Sequence, residues 1–325
     1  MESIVVTHSH GSYEITFVTD LHSLTCDAII TDRNVQAALS GKLPSVPALV
    51  LEPGEPTKSL SEFERSLRWL AQNGIKRNHT IAAVGGGVIG DLGGYVAASY
   101  MRGIRYVQVP TSLLAMVDSS VGGKVGIDIP EGKNLVGAFY PPAEVILYQN
   151  ALATLPREHF VNGMAEVLKY GFISDPSILN ETEPPIRRCI DIKANVVAAD
   201  EFDTTGLRAI LNFGHTIGHA LEAGSGYQLL HGEAISIGMV LESRLGEALG
   251  LTEPGTSDVV AECLNAAGLP VSLPPIPADQ IMALMRNDKK ATASGIGFSL
   301  LTSLGRCKLV ESVPEDAILA VLKSP

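Results

Sequence analysis

Apolar residues recur along this chain with two periods. Short apolar runs at 13–19, 48–51 and 80–84 read as strands, whereas 60–73 sets Leu60, Phe63, Leu67 and Leu70 on one helical face and stops at Gly74. The run at 80–84 leads straight into glycines and then into a helical stretch at 92–100. Strand and helix in alternation predict a Rossmann-like parallel sheet covered by helices. After Pro156 the period becomes helical, with helices predicted over 158–170, 186–199, 207–222, 233–250 and 279–286. Thr182-Glu183-Pro184-Pro185 interrupts them as a loop, because two adjacent prolines do not fit a helix interior. The expectation is an α/β domain over 1–154 and an all-helical domain over 155–325.

Composition narrows the function classes. A chain of 325 residues can bury two cores, and 32 glycines with 5% aromatics fit a tightly turned α/β protein. The net charge of -11 argues against general nucleic-acid binding, which needs clustered cations. An anionic small molecule would need a local cationic pocket. Cys26, Cys189, Cys263 and Cys307 are far apart and form no C-x-x-C pair, which fits free thiols in a reducing compartment. With no signal-like opening and no apolar run of about 18 residues, the chain reads as soluble, cytoplasmic and independent of membranes.

Two segments carry candidate chemistry. Gly85-Gly86-Gly87-Val88-Ile89-Gly90-Asp91 follows a strand and opens a helix, where free backbone N–H groups can hold a pyrophosphate. The dinucleotide fingerprint also asks for an acidic residue about twenty positions later, and the chain there reads Met101-Arg102-Gly103-Ile104-Arg105. Gly122-Gly123-Lys124 likewise falls short of a P-loop, since Val125 stands where a magnesium-binding hydroxyl belongs. The second segment holds His215, His219 and His231, three of the eight histidines. His215 and His219 at i, i+4 share a helix face and suit a divalent metal, although packed histidines would give the same spacing.

Taken together, these residues resemble one family. The glycine run, Tyr100-Met101-Arg102-Gly103, Val109 through Ala115, Val117 through Lys124, Gly132-Lys133-Asn134, Met164 through Gly171, Asn212 through Glu222 and His231-Gly232-Glu233 occur in the order found in 3-dehydroquinate synthases. The resemblance implies an NAD-binding α/β domain, a helical domain with a divalent metal, zinc before cobalt, a cleft between them, and a homodimer. It implies conversion of 3-deoxy-D-arabino-heptulosonate 7-phosphate to 3-dehydroquinate and phosphate. Transient oxidation by NAD, β-elimination, reduction and aldol closure would follow one another in the shikimate pathway.

The resemblance also distributes roles. It puts the metal on Glu166, His215 and His231 and leaves His219 beside it as a proton carrier, a different pairing from the one the i, i+4 spacing suggests. NAD contacts fall on Glu55, Lys58, Gly87, Val88, Ile89, Gly90, Asp91, Thr111, Ser112, Lys124, Lys133, Leu152, Ala153 and Thr154. Substrate and catalytic positions fall on Arg102, Asp118, Lys124, Asn134, Lys169, Lys193, Arg208, Asn212, Lys289 and Lys290, with Arg102 expected to reach a neighbouring subunit. The stretch from Asp175 to Cys189 is shorter than in typical relatives, and a small insertion precedes Arg208. Another sugar-phosphate cyclase, or a metal-dependent polyol dehydrogenase on the same scaffold, is the alternative reading. The dehydrogenase would have no use for Lys124, Lys133, Lys169 and Arg208.

Overall fold

The computed structural model describes residues 2–286, 291–292 and 295–323. Lys289 and Lys290 lie outside the described residues. The chain divides into two compact units, residues 1–160 with 193–198, and residues 161–192 with 199–325.

The first unit is a seven-stranded sheet. Its strands are β1 (Ser3–His8), β2 (Gly11–Phe17), β3 (Ala28–Asp32), β4 (Ala48–Leu51), β5 (Thr80–Gly85), β6 (Arg105–Pro110) and, after the separate hairpin of β7 (Lys124–Ile129) and β8 (Gly132–Phe139), β9 (Glu144–Leu147). The order is β1-β2-β9-β6-β5-β3-β4, with only the β1–β2 pair antiparallel. The chain fills one side of β3 with β4, then crosses to β5 on the other. Adjacent parallel strands leaving in opposite directions open a crevice at their carboxyl ends, where α/β proteins bind ligands. Asp32 and the Gly85–Gly87 run stand at those ends.

Three helices belong to this sheet: α1 (Arg33–Ala38), α2 (Leu60–Gln72) and α3 (Gly87–Ser99). Helix α2 follows its apolar stripe, buries Leu70, and ends with Gly74 at φ +70°, the left-handed stop the pattern predicts. Helix α3 starts five residues before the predicted stretch, because its first turn is glycine-rich and its packing needs no side chain there. A Cβ on Gly93 would stand 2.8 Å from the Ala83 side chain and one on Gly90 2.1 Å from Gln108 Nε2, so glycine lets α3 lie close on β5 and β6. Ile30, Ile81, Leu92 and Val96 fill the space beneath with essentially no exposure, each contributing about 1.5–3 kcal/mol.

The second unit is helix-rich. It contains most of α4 (Arg157–Ile173) and of α5 (Ile186–Ala199), with α6 (His215–Gly224), α7 (His231–Ala248), α8 (Thr256–Ala266), α9 (Ala278–Arg286) and α10 (Glu315–Lys323). It is not entirely helical: β10 (Ala291–Thr292), β11 (Gly295–Ser303) and β12 (Arg306–Val313) form an antiparallel sheet. Phe298 and Leu300 of β11 join Leu241 and Leu245 of α7 in the core, so this strand is bound by burial rather than by a helical pattern.

The predicted helix over 207–222 is broken. Residues 208–212 form a 3₁₀ turn, Gly214 takes φ +81°, and only then does α6 begin, at His215. The break lets α6 cross α7 with backbones almost touching. A Cβ on Gly238 would lie 2.0 Å from the Gly214 carbonyl oxygen, and one on Gly214 2.7 Å from the Ile235 carbonyl oxygen. Overpacking against backbone cannot relax by a rotamer change, so Gly238→Ala is expected to cost about 3 kcal/mol, the upper end of such penalties. A urea midpoint unchanged from wild type would contradict this account of the crossing.

Candidate functional site

Three helices of the second unit bring Glu166, His215 and His231 together. Glu166 lies in mid-α4, His215 is the first residue of α6 and His231 the first of α7. The Asn162 side chain of α4 accepts from the Gly232 N–H, which pins the start of α7 beside Glu166. Glu233 turns back to accept from the Leu230 N–H at 2.9 Å and closes the first turn of α7. The Nε2 atoms of His231 and His215 stand 3.2 and 3.4 Å from Glu166 Oε1. Ligand atoms of a four-coordinate zinc, about 2.0–2.2 Å from the ion, are about 3.3 Å apart, so these three atoms have the spacing of a divalent-metal site. Two imidazoles and one carboxylate leave coordination positions open, as a catalytic site needs.

The surroundings fit that use. His215 Nδ1 is 3.1 Å from the Phe213 carbonyl oxygen, which fixes the ring with Nε2 turned to Glu166. His231 Nδ1 faces the buried Glu222 carboxylate at 3.6 Å, a carboxylate–histidine pairing that orients metal ligands. Lys169, one helical turn after Glu166 and 1% exposed, is ion-paired with Glu166 Oε2. Burial alone would raise the Glu166 carboxyl, but Lys169 and the two histidines hold it well below its ordinary range. Burial and the Lys169 charge push His215 down to about 3. Burial also opposes charge on His231, yet its bonds to Glu166 and Glu222 carry it up to about 10. Neutral imidazole is the form that ligates a metal, so the burial of His215 favours that role, and the carboxylates on either side of His231 orient its ring.

His219 is exposed one turn along α6, its ring centre 5.3 Å from that of His215 and 6.2 Å from that of His231. It forms a second potential ligand set with Glu222 and His231. Arg208 is buried at the start of the 3₁₀ turn and Asn212 half-buried at its end. Asp200 organises the loop before Arg208, accepting from the N–H groups of Thr204 at 2.9 Å and Arg208 at 3.1 Å, while Arg208 Nη1 donates to the Glu201 carbonyl at 2.6 Å. Burial would raise the Asp200 carboxyl, but the backbone bonds from Thr204, Arg208 and Thr205 together outweigh it and lower it to about 2.

In the first unit the candidate nucleotide residues gather around the start of α3. Gly86 is the N-cap and no side chain caps the helix, so its first N–H groups are available to an anion. A Cβ on Gly86 would come within 3.3 Å of Ser112 Oγ, and one on Gly87 within 3.3 Å of Ser119 Oγ. The Ser119 hydroxyl is itself buried without a hydrogen-bond partner. A cradle that side chains would fill and an orphaned hydroxyl beside it fit a phosphate-bearing cofactor. Val88, Ile89 and Gly90 continue the same first turns, with Ile89 and Gly90 buried against the sheet. Thr111 and Ser112 follow β6; Leu152, Ala153 and Thr154 close a 3₁₀ turn after β9.

Lys58 is the hub of the charged residues here. Its ammonium lies 2.7 Å from Asp91 Oδ2, 2.5 Å from Asn134 Oδ1, 3.8 Å from Glu55 and 4.0 Å from Asp128. Lys133 reaches the same Glu55 carboxylate at 3.8 Å. Burial would lower Lys58, but Asp91 and Glu55 outweigh it and hold the amine above its ordinary value. Asp91 and Asp128 are raised, chiefly by burial. Asn134 keeps its place through a left-handed backbone, φ +55°, and an N–H bond to Asp128 at 2.8 Å. Lys124 is exposed with its ammonium 5.9 Å from the Phe139 ring centre, and Arg102 is exposed at φ +65°. Lys193 returns to this unit on α5, 2.9 Å from the Asp118 carboxylate and 2.6 Å from its carbonyl oxygen.

Sequence reasoning missed Glu222, Glu242, Asp200 and Asp128. Glu242 was detectable as a lone charge in the apolar run Met239-Val240-Leu241-Glu242; it is fully buried and accepts from the Gly214 N–H at 2.7 Å and the Ile217 N–H at 3.1 Å. Asp200 and Asp128 bond to backbone across turns, which leaves no periodic signal.

Residues 48–162 match the family model described as 3-dehydroquinate synthase N-terminal, and residues 163–291 the one described as 3-dehydroquinate synthase C-terminal. A 3-dehydroquinate synthase from Opitutus terrae is 42% identical over 97% of this chain and 96% of its own length. One from Acidithiobacillus ferrooxidans is 42% identical over 91% and 88%. Among solved structures, 2-deoxy-scyllo-inosose synthase complexed with carbaglucose-6-phosphate, NAD+ and Co2+ has a TM-score of 0.86 at 26% identity, covering 99% of each chain.

Glu166→Ala or His231→Ala should leave the purified protein without stoichiometric zinc or cobalt by elemental analysis, and retention of a full equivalent by either variant would remove these residues from the metal set. Lys58→Met removes the ammonium that meets Asp91 at 2.7 Å, in a site where the lysine side chain is 5% exposed. Loss of a buried partner of this kind costs about 3–5 kcal/mol, to be read from chemical denaturation; a cost under about 1 kcal/mol would contradict the hub.

Proposed function

Because this chain belongs to the 3-dehydroquinate synthase family, we propose that it converts 3-deoxy-D-arabino-heptulosonate 7-phosphate to 3-dehydroquinate and inorganic phosphate. It is thus a phosphate-eliminating, carbocycle-forming lyase of aromatic biosynthesis. The observation that carries this reading is the convergence of buried Glu166 and His215 with half-buried His231, with Lys169 on the Glu166 carboxylate.

When bound, the divalent metal supplies Lewis acidity toward neighbouring substrate hydroxyls, and NAD supplies a hydride acceptor that ends each turnover as it began. Glu166, His215 and His231 hold the metal, zinc or cobalt. The open first turn of α3 from Gly87 to Asp91, with Thr111 and Ser112, holds the cofactor phosphates, while Lys58, Lys133, Glu55 and the 152–154 turn fix its remaining polar groups. Lys169, Arg208, Asn212, Lys124, Lys193 and Asn134 are the anchors for the substrate carboxylate and phosphate, and Asp118 holds the Lys193 ammonium in place. Oxyanions are bound most strongly by such charge-assisted hydrogen bonds, and a chain of net charge -11 has to concentrate its cations to make them.

His219 is exposed beside the ligands, and the support for its role is that position. It carries a proton to and from the substrate, while the 3-dehydroquinate ring closes in one conformer held by the anchors.

Arg102 and Met101, both exposed and both at positive φ, are offered to a second copy of the chain in a homodimer. Among the described residues no helix is long and apolar enough to cross a membrane. Cys26, Cys189, Cys263 and Cys307 are free thiols, and the setting proposed for the chain is the cytoplasm.

Purified protein given the heptulosonate phosphate, a divalent metal and catalytic NAD should release one phosphate per substrate with no net NADH. No phosphate release would sink the proposal, and NADH accumulating with a simple polyol would favour a dehydrogenase instead. His219→Ala should keep its metal while kcat falls by about 10²–10⁴-fold; lost metal would make His219 a ligand.

A further inference from the structure

We infer that Glu242 is a positioning residue for the metal ligand His215, an inference that rests on the metal reading of Glu166, His215 and His231. Its carboxylate has no solvent exposure, and its two oxygens each take one backbone N–H from the start of α6, Gly214 at 2.7 Å and Ile217 at 3.1 Å. Those two residues flank His215. The first N–H groups of a helix have no partner within the helix and collect its positive dipole end, so an anion there is the natural complement.

Ordinarily an N-cap side chain on the preceding residue supplies this partner. Here the N-cap is Gly214, which has no side chain and is held to glycine by the α7 backbone on one side and its positive φ on the other. The cap therefore comes from the neighbouring helix. Glu242 stands eleven residues after His231 on α7, three helical turns along the same face. One rigid helix thus carries one ligand at its first residue and grips the backbone around the other. The Phe213 carbonyl that holds His215 Nδ1 lies immediately before this grip.

Fixing α6 at both N–H groups sets the distance between His215 Nε2 and His231 Nε2 without a direct bond between them. Removal of Glu242 leaves the ligand atoms chemically intact but frees the turn from which His215 projects. Groups that orient metal ligands typically change affinity about 10–100-fold when lost.

The test measures Co2+ affinity of the full-length protein by competition with a chromophoric chelator, together with the Co2+ absorption bands. Glu242→Gln leaves one amide oxygen to accept but turns an NH2 toward a backbone N–H; Glu242→Leu accepts nothing. Both are expected to bind Co2+ about 10–100-fold more weakly than wild type, with altered bands, and Glu242→Asp to fall between. Ser243→Ala, equally buried on α7 but bonded to the Met239 carbonyl of its own helix, serves as the control and should bind as wild type. Folded Glu242→Gln and Glu242→Leu proteins with wild-type Co2+ affinity would overturn the inference, as would equal weakening by Ser243→Ala. Should both Glu242 variants fail to fold, the milder Glu242→Asp decides: weaker binding supports the role and unchanged binding overturns it. A wild-type protein that binds no Co2+ overturns the metal reading and this inference with it.

Discussion

The second unit depends on two helices meeting at backbone distance. Where α6 crosses α7, the Gly214 carbonyl and the Cα of Gly238 occupy space that any side chain would claim. That contact places the first residue of α6 within reach of the first turn of α7, and Asn162 places that turn against α4. Without glycine at the crossing, helices pack about 8–10 Å apart, and three ligand atoms from three helices would not converge. The chemistry of the site is therefore a consequence of close packing before it is one of ligand identity.

The same logic serves the first unit through a different device. Glycines at 90 and 93 press α3 onto β5 and β6, and glycines at 86 and 87 keep the start of that helix clear. The sheet supplies the location and the glycines supply the room. The polar partners then arrive from the turn at Glu55, the start of α3 and the β7–β8 hairpin, converging on a buried lysine whose partners lie from Glu55 to Asn134 in sequence.

Much of this was legible in the chain. Apolar periods gave α2 with its Gly74 stop, the strands at β4 and β5, and the helix-rich second half. The order of motifs gave Glu166 and His231 as companions of His215, which periodicity alone had paired with His219. Illegible were features decided by tertiary contact: the β11–β12 hairpin, whose apolar residues pack on α7, and the break at Gly214 that divides 207–222. Glu222, Asp200 and Glu242 escaped because a buried carboxylate that bonds backbone or a ring nitrogen looks, in sequence, like any helical or loop acid. The polar residues that matter most to geometry are the ones whose partners lie far away along the chain.

Lys193 and the five residues after it belong to the first unit although they sit between two stretches of the second. The chain passes from one unit to the other, comes back, and departs again. A single genetic crossover cannot then exchange either unit for a foreign one: any cut near residue 160 separates Asp118 from the lysine that meets it. Diversification on this scaffold must proceed by substitution in place, with both units inherited together, rather than by the shuffling open to proteins whose domains follow one another as beads.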